Sequence, residues 1–96
     1  MSAFLDPMVD QRKRIGRGGP LWCHLIADSV EELHALADRI GLQRSWFQDK
    51  ASFPHYDVGS ERIRELAIKA GAISCDRRTF VGHLQRIRAA AREGTK

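Results

Sequence analysis

The sequence predicts an α/β domain: a small three- to four-stranded, largely parallel sheet with three helices packed on it. Two observations carry this. "LWCHLIA" alternates in the two-residue period of a strand. After it come three segments with helical spacing, two opened by serine and closed by glycine, with extended apolar pieces between them.

The elements follow in order. Ala3 to Leu5 form a short opening strand that ends at Asp6-Pro7. "QRKRIGRGGP" carries four positive charges, no negative ones, three glycines and a proline, and reads as a loop. In the strand "LWCHLIA", alternation sets Trp22, His24, Ile26 and Asp28 on one face and Cys23, Leu25 and Ala27 on the other. "SVEE" opens a helix as a capping box, with Ser29 the cap and Glu32 reaching back; Val30, Leu33, Ala37 and Ile40 recur inward, and Gly41 stops it. "SWFQ" is a candidate short strand, and "FPHYDV" is extended, partly because Pro54 restricts the residue before it. Ser60 caps a second helix with Ile63, Leu66, Ala67 and Ala70 inward and Gly71 as its stop. "AISC" makes a last strand. Asp76 caps a third helix that turns Phe80, Leu84, Ile87 and Ala91 inward. The repeated strand, cap, helix and glycine favour β-α-β connections.

Ninety-six residues make one compact domain over 1–96, with the basic loop 11–20 inside it. No apolar run approaches the roughly 20 residues of a membrane helix, and "MSAFLDPMVD" has no apolar core of a secretion signal. The expected compartment is the cytoplasm, with no membrane partner. Cys23 and Cys75 show no C-x-x-C spacing and read as buried reduced thiols.

In a largely parallel sheet Asp6, Asp28, Asp57 and Asp76 all fall near strand carboxyl ends, the edge where open α/β sheets bind ligands. His55 and Asp57 share one strand face, about 6.6 Å apart at two residues of rise. Imidazole and carboxylate together suit a divalent metal or acid–base work near neutral pH. The expected metal ligands are therefore His24, His55 and Asp57. Asp28 is a further ligand or general base, and His34, paired with Glu31 as E-x-x-H, a proton carrier or a residue that supports the ligands from behind. Four residues of strand span about 13 Å, so Asp28 is expected at the rim, away from His24. Tyr56, on the opposite strand face, packs or orients neighbours. Each of these residues also has an ordinary reading: aspartates and serines before helices complement helix N-termini, and Glu31, His34 and Asp38 form a solvated face. No H-E-x-x-H, Walker loop, G-x-S-x-G or dinucleotide fingerprint occurs.

The chain is basic, with a formal charge of +4. Arg12, Lys13, Arg14 and Arg17 offer a glycine-rich loop suited to wrapping phosphate, and Arg77, Arg88 and Arg92 share one flank of the last helix, with Arg78 nearby. A solvated basic surface is favoured over nucleic-acid binding, because no helix-turn-helix, RNP motif or zinc finger accompanies these charges.

"WCHLIADSVEELHALADRIGLQRSWFQ", then "PHYDV", then "AIKAGAI" resemble the short bacterial and phage proteins grouped as domain of unknown function 4031. The likeness runs from "LDP" to the arginines of the last helix. It is carried by His24 to Asp28, Glu32 to His34 and His55 to Asp57. The long basic "QRKRIGRGG" departs from the shorter loop usual in that family. The resemblance implies a compact cytoplasmic α/β domain and makes this three-piece polar set its site. The expected function is binding of a divalent metal or small polar ligand, of a type suited to hydrolysis. The alternative is a non-enzymatic nucleic-acid- or protein-binding accessory module that uses the basic loop and last helix.

Overall fold

The structure, a computed structural model, describes residues 2–7, 9–10, 21–50 and 53–94. Its strands are β1 (Ala3–Leu5), β2 (Val9–Asp10), β3 (Leu21–Ala27), β4 (Gln48–Lys50), β5 (Phe53–Val58) and β6 (Ile73–Ser74). Its helices are α1 (Val30–Ile40), α2 (Glu61–Lys69) and α3 (Arg77–Gly94), and a single 3-10 turn spans Arg44–Trp46.

Both serine caps form as their spacing predicts. Ser29 Oγ accepts from the Glu32 N–H at 3.1 Å, and Ser60 Oγ accepts from the Ile63 N–H at 3.1 Å. The Glu32 carboxylate reaches back to the Ser29 hydroxyl, 3.2 Å away. Gly41 ends α1 at φ 90°, a left-handed conformation in which a Cβ is strained, and Gly71 follows α2 at φ 115°.

The sheet order is β4-β5-β3-β1-β6, with β2 also paired to β3. The expected largely parallel sheet is corrected here: only β1–β6 is parallel among the described pairings, and the rest are antiparallel. The reason lies in the connections. Parallel neighbours need a crossover, whereas antiparallel ones need only a hairpin. β3-α1-β4 is such a crossover, and the pairings make β4 run in the direction of β3. The chain then folds straight back from β4, so β5 slots between the two, antiparallel to both. β5-α2-β6 likewise returns to its starting direction, but β3 and β1 separate its strands. The crossovers exist; hairpin strands are interleaved with them.

The face bearing Ala3, Leu5, Cys23, Leu25, Ala27, Tyr56 and Val58 packs on Leu33, Ala37 and Ile40 of α1 and Ala67 of α2. On the other face Phe4 and Ile26 meet Cys75 and Phe80, with Leu84 and Ile87 of α3 beside them. Two expected inward positions lie outside the core: Val30 is 43% and Leu66 38% exposed. "SWFQ" divides into the 3-10 turn and the start of β4. "AISC" yields only two strand residues, and Ile73 on that edge is 48% exposed. No helix among the described residues is long and apolar enough to cross a membrane.

Candidate metal centre

The second face turns polar at β3 and β5. In the antiparallel register His24 lies opposite Asp57, so their side chains project on the same face, and His55, two residues before Asp57, joins them. The Nε2 atoms of both rings approach one carboxylate oxygen: Asp57 Oδ1 is 3.4 Å from His55 and 4.0 Å from His24. One ligand atom from each of His24, His55 and Asp57 falls within 4.8 Å of the others. The two rings meet edge to face with centroids 5.2 Å apart, and Trp22 abuts His24 at 4.7 Å. His55 is buried, whereas the side chains of His24 and Asp57 are 22% and 39% exposed, so the group is reached from one side.

Two further side chains hold this group. Gln48, opposite His55 on β4, donates its amide N–H to Asp57 Oδ2 at 2.6 Å. Asp6, 3% exposed, accepts from the His24 main-chain N–H at 2.7 Å and contacts His24 Nδ1 at 2.9 Å. Burial by itself pushes the Asp57 carboxyl up. Its contact with His55, the Gln48 amide and the nearby charge of His55 and His24 outweigh that and hold it below the usual carboxylate range. Asp57 Oδ1 is buried, and among the described residues its partners are the ring nitrogens of His55 and His24, with no closer hydrogen bond.

That oxygen decides what the group can do. A buried carboxylate oxygen needs partners out of water, and here its surroundings are two imidazole nitrogens at 3.4 and 4.0 Å. Zinc with ligands at about 2.0–2.2 Å sets tetrahedral donors roughly 3.4 Å apart. The His55–Asp57 separation of 3.4 Å already matches, and the widest spacing among the three donors, 4.8 Å, has to close by about 1.4 Å. The residues fit a divalent ion of the zinc type.

The remaining expected site residues go elsewhere. β3 runs opposite to β1, β5 and β6, so Asp28 lies at the far end of the sheet from Asp6, Asp57 and Asp76. There it accepts from the Ser2 N–H at 2.9 Å and from Arg86 of α3 at 3.0 Å. His34 lies against the other face, its Nδ1 2.8 Å from the Tyr56 hydroxyl. Arg12, Lys13, Arg14 and Arg17 lie outside the described residues. Arg77 and Arg78 are exposed at the start of α3, and Asp76 caps that helix by accepting from the Thr79 N–H at 2.7 Å. Cys23 and Cys75 are buried and reduced; burial first, and then Asp6, push the Cys23 thiol up to about 11, which leaves it protonated and unreactive at neutral pH. Gln48 and the pairing of Asp6 with His24 do not show in the spacing of the histidines and aspartates; the sequence signal for the latter is Pro7, which interrupts a strand next to an acidic residue.

Residues 7–87 match the model of a protein family described as "Protein of unknown function (DUF4031)". The chain belongs to the DUF4031 family. The match takes in β3, α1, β5, α2 and most of α3, and so includes His24, His55 and Asp57; Asp6 immediately precedes it. No curated protein and no solved structure matches this DUF4031 chain.

Proposed function

We propose that this DUF4031 protein binds one divalent transition-metal ion through His24 Nε2, His55 Nε2 and Asp57 Oδ1, and that the bound ion serves hydrolysis of a small polar ligand. The observation that carries the reading is the buried Asp57 oxygen, which faces two ring nitrogens at 3.4 and 4.0 Å and accepts no closer hydrogen bond among the described residues. Two histidines and one carboxylate form a borderline donor set suited to zinc and its first-row neighbours. Three protein donors with one exposed side leave room for a further ligand, which separates a reactive zinc site from a closed structural one. A metal so held supplies Lewis acidity and brings a bound water's pKa toward about 7. Gln48 occupies Asp57 Oδ2 and so directs Oδ1 at the rings.

The test is elemental analysis of protein purified without an affinity tag, followed by titration of metal-free protein with zinc and cobalt(II). One ion per chain is expected, with cobalt absorption in the intensity range of a four- or five-coordinate site and loss of uptake in His55→Ala. Failure to take up zinc, cobalt or manganese overturns the reading and transfers weight to an accessory binding module built on the arginines.

A further inference from the structure

β1 and β2 lie along the same edge of β3, but they do not form one regular strand. Leu5 pairs with Leu25 and Val9 with Trp22, so four steps along one strand face three on the other. The extra residue between Leu5 and Val9 marks a β-bulge in this stretch, which contains Pro7, a residue tolerated at bulges. Regular pairing would have the Asp6 carbonyl accept from the His24 N–H. Here the Asp6 side chain takes that place through Oδ1 at 2.7 Å, and the carbonyl turns to Arg64 of α2, 3.5 Å away. The Asp6 N–H still points to the His24 carbonyl at 3.4 Å. The carboxylate is thereby pinned to the backbone of the residue whose ring it also touches.

We infer that Asp6 is the positioning residue of the metal centre: it dictates which nitrogen of His24 carries the proton, and so makes that ring a ligand. An ionised carboxylate only accepts hydrogen bonds. Asp6 Oδ2, 2.9 Å from His24 Nδ1, therefore requires a proton on Nδ1. In the neutral ring this leaves the lone pair on Nε2, the atom that faces Asp57 Oδ1. Metal-bound histidines commonly carry such a carboxylate on their second nitrogen. The consequence for metal affinity rests on the function proposed above; the tautomer assignment does not.

Asp6→Asn separates the two. The main-chain N–H of His24 is a donor in every state, so it claims the single carbonyl oxygen of the new amide. The amide NH2 then faces Nδ1, which must accept, and the ring proton moves to Nε2. Nitrogen-15 NMR of metal-free protein at mildly alkaline pH reads this directly. The wild type is expected to show the Nδ1–H form of His24 and Asp6→Asn the Nε2–H form, with zinc affinity in the variant down by about 10- to 100-fold. Asp28→Asn, which removes a carboxylate from the far end of β3, is expected to leave both readouts unchanged. An Nε2–H ring in the wild type, or an Asp6→Asn protein that binds zinc as tightly as the wild type, overturns the inference. If the wild type binds no metal but the tautomer inverts as described, the metal reading falls and the assignment to Asp6 stands.

Discussion

On one face of the sheet His34 meets the hydroxyl of Tyr56; on the other His24 meets the carboxylate of Asp6. Tyr56 is sealed between sheet and helices, and burial pushes its phenol up, so it stays protonated at neutral pH. A hydroxyl both donates and accepts, which leaves the His34 tautomer open. Phe47 closes the same pair edge to face at 4.5 Å from the imidazole. This histidine satisfies a buried polar atom at the rim of a core. Across the sheet, a group that only accepts holds His24, and a second carboxylate oxygen faces its far nitrogen. The difference between packing and ligation lies in the partners; the residue type is the same.

The sharpest way to break this contrast is to damage each face separately. His24→Ala, His55→Ala or Asp57→Asn, each of which removes one of three protein donors, is expected to abolish stoichiometric zinc binding, while the metal-free protein keeps its helical circular dichroism. Leu25→Ala, beneath the other face, is expected to cost about 2–5 kcal/mol in urea unfolding and to leave one zinc per folded chain. A ligand variant that unfolds like Leu25→Ala would make the polar face a second core.

A smaller effect should appear as stabilisation. Zinc at a hundred times its dissociation constant is expected to add about 2.7 kcal/mol, a rise in midpoint of roughly 10–20 °C for a domain of this size. A chelator should remove it. His34→Ala should retain this gain, because that ring sits on the other face.

Ser29→Ala tests the frame shared by both faces. Loss of the α1 cap is expected to cost about 1 kcal/mol in chemical denaturation, with zinc affinity unchanged.

The smallest effect belongs to Asp28. Burial opposes its ionisation, but Arg86 and the Ser2 N–H outweigh that and hold its carboxyl below the usual range. Its contribution is therefore fully present above the unfolded value of about 3.9 and lost as pH falls through the lowered folded value. Asp28→Asn is expected to flatten the acid limb of stability by under about 1 kcal/mol, since the partner guanidinium is half exposed.

What the sequence alone determined is what depends on near neighbours. Ser29 and Ser60 as caps, Gly41 as a stop, the opposite faces of His24 and Cys23, and the shared face of His55 and Asp57 all follow from local geometry with a period of two or 3.6 residues. Tertiary structure decided everything that depends on which strand lies beside which, and in what direction. Reversal of β3 sent Asp28 to Arg86, the return from β4 brought Gln48 to Asp57, and helix docking gave His34 to Tyr56. The bulge that aims Asp6 at His24 exists only once Leu5 pairs with Leu25 and Val9 with Trp22. Such pairings join residues far apart in the chain, and a period read along one strand carries no information about its neighbour's register.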